Sequence, residues 1–187
     1  MQTIIRPEEP RDAEAIELVT IQAFENAPHT DHMEQFIVRE LRLAGALTVS
    51  LVAETNGQIM GHVAISPVRI SDGAAGWYGL GPVSVAPANQ GQGVGKQLME
   101  RSLDRLRDVA ANGCVVLGDP KYYGRFGFAP VAGLVLPGVP ADYFQALVMG
   151  SKIPQGEVSY HQAFEAKQGA NNYRTVAVPP SRTRGAS

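Results

Sequence analysis

Residues 80 to 98 carry the densest chemistry in the chain. A strand-like stretch, Leu80 to Ala86, stops at Pro87. A turn follows with Gly91, Gly93 and Gly95, and an amphipathic helical pattern begins at once. Glycines let a backbone come close to a ligand with its N–H groups exposed. The helix N-terminus adds N–H groups without intrahelical partners and the positive end of the helix dipole. Together these make a site for a pyrophosphate, with Lys96 adding charge. Three alternating glycines preceded by Gln90 exceed what a bare strand-to-helix turn needs.

Three phosphate ligands come into question. A Walker A loop requires Gly-x-x-x-x-Gly-Lys-Ser/Thr, but Gln97 follows Gly95 and Lys96, and position 90 is Gln. A dinucleotide fingerprint requires Gly-x-G-x-x-Gly and a later acid. Here Lys96 stands in place of the third glycine, although Asp119 follows the next strand, and the first four strands do not suit a parallel sheet. The third pattern, Gln/Arg-x-x-Gly-x-Gly/Ala, is met by Gln90, Gly91, Gln92, Gly93, Val94 and Gly95.

That third run resembles the phosphate-binding motif of the GNAT acyltransferase superfamily. Val83, Ser84, Val85, Ala86 and Pro87 resemble its cofactor strand. Tyr123, Gly127 and Phe128 match its Tyr-x-x-x-Gly-Phe signature. The resemblance covers about residues 2 to 135. Residues 114 to 130 and Val158 to His161 look most like the bacterial YhbS-like branch. It implies acetyl-CoA as co-substrate, no metal, and direct transfer of the acetyl group to an amine. It implies too that the pantetheine arm lies along Val83, Ser84 and Val85, with an oxyanion donor among the N–H groups of Val83 and Ser84, and that Tyr123 is the general acid. Pro82 removes a ladder donor from this strand and marks a broken pairing.

Such a transfer needs a neutral amine, a donor for the developing oxyanion and a proton for the leaving thiolate. Tyr122 is the neighbouring alternative to Tyr123, while Phe126 and Phe128 read as packing residues. No base is evident on the central strand, because Leu80 to Ala86 contains no acid. Glu25, Asp119 and His62 are the candidates. Glu25 stands by an acceptor pocket, Asp119 is placed to orient cofactor or acceptor, and His62 has a suitable intrinsic pKa; each also has a plain structural reading. His29 and His32 flank Asp31, and with no further ligand group nearby the run reads as a surface loop. Cys114 reads as an inert core residue, and His161 as a loop residue unless the C-terminal part folds back on the site.

The elements positioning these residues follow from hydrophobic period and turn chemistry. A strand is expected over 2–6 and a helix from Asp12, with Ile16, Val19 and Ala23 inward and Ile21 and Phe24 adding width. A second helix is expected from a cap at Thr30 or Asp31 to Gly45, with Phe36, Ile37, Leu41 and Leu43 inward. Strands follow at 47–55 and 59–70 around the hairpin signal of Asn56 and Gly57, then at 77–86. A long helix over 93–111 turns Leu98, Met99, Ser102, Leu103, Leu106, Val109 and Ala110 inward. A strand at 114–117, a helical turn at 121–126 and a strand at 128–135 complete the core. This order, β-α-α-β-β-β-α-β-α-β, predicts an α/β (α+β) fold with a mainly antiparallel mixed sheet. Residues 1–135 are expected to form the core. Residues 136–187 are expected to form an extension with a helical stretch at 141–149 and a loose end at 178–187.

The totals set the class. The 187 residues fit one domain, and 44% hydrophobic with 18% charged residues can bury a core. A net charge of -2 disfavours a nucleic-acid partner. One cysteine permits no internal disulfide and suits a reducing cytoplasm. No apolar run is long enough to span a membrane, and residues 1–10 do not read as a secretory signal. A small-molecule or peptide amine is the expected acceptor, and a homodimer is compatible with the sequence. Two other functions fit parts of it: an acyl-CoA sensor without turnover, and a nicotinamide oxidoreductase resting on the glycine turn and Asp119.

Overall fold

The computed structural model describes residues 2–28 and 30–165. A six-stranded sheet in the order β1-β2-β3-β5-β6-β8 forms its centre. The strands are β1 (Ile4–Pro7), β2 (Val49–Thr55), β3 (Gln58–Pro67), β5 (Trp77–Val85), β6 (Gly113–Leu117) and β8 (Phe144–Val148). All neighbours pair antiparallel except β5 with β6. The parallel pair is joined by a crossover helix, as a parallel connection requires. A small second sheet joins β4 (Arg69–Ile70), β7 (Leu134–Val135) and β9 (Gly156–Ser159). The mixed, mainly antiparallel α+β architecture is the one expected. No described helix is long and apolar enough to cross a membrane.

The hairpin between β2 and β3 turns through Asn56 and Gly57, both at positive φ, as a two-residue loop of this type demands. Helix α3 (Val94–Asp108) covers one sheet face. Its Val94, Leu98, Met99, Leu103 and Leu106 pack on Leu51, Val63, Ile65, Leu80 and Val83. Helices α1 (Ala13–Phe24) and α2 (Glu34–Leu43) cover the other, where Ile16 and Val38 cluster with Val52. The short α4 (Pro120–Tyr123) adds Tyr123 to the α3 side.

Several local expectations need correction. Helix α2 starts at Glu34, because Thr30 and Asp31 accept from the N–H groups of His32 and Met33 in a turn before it. Its buried stripe is Glu34, Val38 and Leu41, with Leu43 exposed. On α1, Ile16, Val19 and Phe24 are buried as expected, but Thr20 is buried and Ile21 exposed. Helix α3 stops at Asp108, leaving Val109 exposed and Ala110 at positive φ. The 59–70 strand splits after Pro67, and 128–135 is not one strand: Ala129 bridges to Ala146, while Leu134 and Val135 join β9.

The largest difference lies toward the end of the described chain. Residues 141–149 do not form a helix. After a 3-10 turn at Ala141–Tyr143, Phe144–Val148 forms β8 and pairs with all of β6. The edge of β6 is thereby closed, so the central sheet extends past the boundary expected at residue 135. The sequence at 178–187 lies outside the described residues.

Candidate active site

The site begins where β5 leaves β6. Their pairing runs only through Trp77, Tyr78 and Gly79, opposite Gly113, Cys114 and Val115. On its other side, β5 stays with β3 up to Val85. Between Val63↔Val83 and Ile65↔Leu80, β5 holds one residue more than β3, a bulge at Gly81 and Pro82. Pro82 is thus at a broken pairing, as expected, and the strands diverge beyond it.

Strand alternation decides which backbone groups face that opening. Ala86 N–H bonds back to Met60 O on the β3 side. Ser84 therefore points its backbone to β3 as well, and Val83 and Val85 point theirs to the open side. The Val85 carbonyl accepts from Gln90 Nε2 at 3.0 Å. Gln90 thereby ties the strand end to the turn.

The turn itself is built as a phosphate cradle. Gly91 and Gly93 have φ of 74° and 86°, a region that side chains with a Cβ avoid. Gly93 caps α3, and a Cβ there would meet nothing within 4 Å, so open space lies before the helix N-terminus. Gln97 N–H bonds to Gly93 O, which leaves the N–H groups of Val94, Gly95 and Lys96 in the unpaired first turn. Gln92 fixes the turn from outside through Ala88 O. Lys96 is exposed and 3.6 Å from Glu100, an ion pair of little energetic weight.

Two tyrosines from α4 approach from the same side. Tyr123 is fully buried, stacked edge-on to Tyr122 and Phe128, and fills the space left by the missing side chain of Gly118. Burial, with smaller contributions from Tyr122, Asp119 and Cys114, pushes its phenol well above the ordinary value. Tyr122 is half-buried beneath Arg125 and reaches the turn: its hydroxyl lies 3.0 Å from where a Cβ on Gly95 would be. Spacing to Gly127 favours Tyr123 over its neighbour Tyr122 and says nothing about which ring borders the turn.

The remaining candidates separate clearly. Asp119 caps α4 by accepting from Lys121 N–H at 2.9 Å. Glu25 is exposed at the end of α1. His161 caps the 3-10 turn Gln162–Phe164 through Nδ1. Cys114 is buried in β6. His32 is exposed, and His29 lies outside the described residues. Among the described residues, no cluster of three metal-ligating side chains occurs.

His62 is fully buried and lies opposite Ser84. Its Nε2 is 2.8 Å from Ser50 Oγ, which donates to Glu8 Oε2, itself paired with Arg42. Burial lowers the His62 pKa, more than Glu8 raises it. Burial also works against the Glu8 carboxylate, yet bonds from His62, Arg42 and Ser50 hold it far below its usual range. Neutral His62 thus serves a buried polar cluster.

Glu34 went unnoticed in the sequence. It is 2% exposed, accepts from Thr30 Oγ1 through Oε1, and its Oε2 has no hydrogen-bond partner. Burial raises its pKa, Asp31 adds to the rise, and Thr30, the backbone and His32 oppose it. The signal was an acid at the i, i+4, i+7 stripe of Val38 and Leu41.

Comparison with known proteins agrees with this geometry. Residues 47–130 match the family model described as an acetyltransferase (GNAT) domain. The N-acetyltransferase YhbS of Escherichia coli K12 is 39% identical over 126 residues, 67% of this chain and 72% of that protein. The N-acetyltransferase YjhQ of the same strain is 31% identical over 134 residues, 71% of each. A crystal structure of a GNAT family acetyltransferase from Brucella melitensis in complex with acetyl-CoA superposes with a TM-score of 0.78 at 49% identity. It covers 87% of this chain and 98% of that one. The E. coli YhbS structure in complex with CoA gives 0.78 at 33% identity, covering 88% and 93%.

Proposed function

This chain belongs to the GNAT acetyltransferase family, and on that premise we propose that it transfers acetyl from acetyl-CoA directly to an amine. The observation that carries the reading is the opening between β5 and β6, which ends at a glycine cradle on the α3 N-terminus. Gln90, Gly91, Gln92, Gly93, Val94, Gly95 and Lys96 would hold the pyrophosphate with N–H groups, the helix dipole and one cation. Val83, Ser84 and Val85 would line the pantetheine arm, the open-side groups of Val83 and Val85 pairing with it as a strand edge does. The co-substrate supplies the acetyl group activated as a thioester. Val83 N–H is the donor for the carbonyl oxygen as it gains charge. Tyr123, kept protonated by burial, donates to the leaving sulfur. Single, buried Cys114 suits work in a reducing cytoplasm.

A dinucleotide-dependent oxidoreductase loses its basis, because β1, β2, β3 and β5 form an antiparallel half instead of a parallel nucleotide-binding sheet. A sensor without turnover has one observation in its favour, the lack of an acid on β5. Thermal melting with acetyl-CoA, CoA and NAD tests the reading, using wild type and Gly93→Trp. A ligand that binds the folded state raises the melting temperature by mass action. Acetyl-CoA and CoA should do so in wild type only, and NAD in neither. No shift with either CoA species at saturation would overturn it.

A further inference from the structure

Five buried side-chain atoms among the described residues lack a hydrogen-bond partner. Four of them, Glu34 Oε2, His62 Nδ1, Ser66 Oγ and the Tyr160 hydroxyl, belong to the side of the sheet that α1 and α2 cover. His62 and Ser66 are two steps of alternation apart on β3, opposite Ser84 and Gly79. The Tyr160 ring occupies the space above Gly79, which a Cβ would fill, and packs in one cluster with Leu41 of α2. The fifth, Gln145 Oε1, sits opposite Val116, on the α3 side. Buried polar groups in folded proteins are nearly always paired, so each unpaired atom on this side calls for a physical reason.

Helix register then singles out one of the four. Arg42 at the end of α2 bonds Glu8, just before α1, so the two helices run antiparallel. Ile16 and Val38 share one cluster. One turn forward on α1 and one turn back on α2 bring Thr20 and Glu34 level. Thr20 accepts from Ser84 Oγ at 3.3 Å, beside Val83 on the diverging part of β5. Glu34 thus stands over the opening, on the face opposite Tyr123.

We propose that Glu34 is the general base, taking a proton from the acceptor amine as it enters on the α1–α2 face of β5. This rests on the acetyltransferase reading above. An ammonium gives one proton to Glu34 and becomes a nucleophile. The nitrogen bonds to the acetyl carbon, the C–S bond breaks with its electron pair on sulfur, and the sulfur ends as a thiol. The amide nitrogen loses its second proton, so one proton in all passes to solvent. The other candidate acids differ from Glu34: Asp119 caps α4, Glu8 is tied to Arg42, and Glu25 is exposed to solvent. Of the elements packed on α2, α1 carries Glu14 and Glu17 and ends at the cap residue Glu25, β5 carries only Tyr78, and the 3-10 turn Gln162–Phe164 is flanked by His161 and Glu165. Asp31 and His32 act on Glu34 from its own loop.

Glu34→Gln tests the proposal, with Glu34→Asp keeping the carboxylate. Thiol release from acetyl-CoA is followed with a panel of primary amines from pH 6 to 9. At pH 7 the Gln variant should be slower by about 10²-fold or more, the gap narrowing as pH rises and more amine arrives neutral. Glu34→Asp should recover part of the rate. Both variants should keep the acetyl-CoA melting shift; a wild type without that shift would refute the acetyltransferase reading instead. Melting alone needs no acceptor. Because burial disfavours the ionised form, Glu34→Gln should melt at or above wild type at pH 8, and the difference should fade toward pH 4. An unchanged rate and pH profile in Glu34→Gln, or a melting point clearly below wild type at pH 8, would overturn the proposal.

Discussion

The Tyr122 hydroxyl lies 3.0 Å from the position a Cβ on Gly95 would take. The aromatic wall of α4 and the first turn of α3 therefore meet closely, and a methyl group on Gly95 would press the Tyr122 hydroxyl aside. The phosphate cradle and the tyrosine pair are one unit, although Gly95 and Tyr122 stand 27 positions apart in the chain.

Gly95→Ala should weaken acetyl-CoA binding while leaving the fold intact. Alanine gains about 1 kcal/mol in a helix over glycine. Displacing Tyr122 offsets that gain, so the denaturation midpoint should move little. The acetyl-CoA melting shift should drop, and Tyr122→Phe in the same background should restore part of it by removing the crowding oxygen. A full shift in Gly95→Ala alone would separate Tyr122 from the cofactor turn.

Tyr123→Phe should lower turnover by about 10²-fold, the low end of general-acid effects, with the acetyl-CoA melting shift unchanged. Gly118→Ala puts a methyl group into the Tyr123 ring. It should cost about 1–3 kcal/mol by overpacking and reduce turnover too, since the ring must move. Thiol-release kinetics and denaturant melts read both effects. Wild-type turnover in Tyr123→Phe would remove the tyrosine from the reaction.

Stability should fall in acid in two steps. The folded His62 pKa lies below its ordinary value. As pH falls through about 6.5, the unfolded chain takes up a proton that the fold refuses, and stability drops. The folded Glu8 carboxylate is likewise depressed, so its contribution is full above about pH 4.3 and is lost below it. His62→Gln should flatten the first step. Glu8→Gln should remove the second and cost about 1–3 kcal/mol at pH 7, because Arg42 and Ser50 lose a charged partner. Melting curves from pH 3 to 8 decide this, and a wild-type curve flat between pH 5 and 7 would contradict the His62 assignment.

The cofactor half of the site is written locally. Gly91, Gly93 and Gly95 sit at a strand-to-helix junction, where backbone conformation and the helix terminus make the chemistry by themselves, so Gln90 to Lys96 could be picked out from the sequence. Tyr123 was legible by its spacing to Gly127 and Phe128, and most elements by period and turn residues. The acceptor half is not local. Glu34 matters because a stripe that also holds Val38 and Leu41 turns it inward, and because α1 brings Thr20 level with it. Tyr160 arrives from the far end of the described chain. The stretch at 144–148 has the apolar content of either a helix or a strand, and the open edge of β6 made it a strand. Local conformational preference determined the turn and the elements around it. Burial, register and edge pairing are set by contacts distant in sequence, and only the tertiary structure decided which acid lost its water.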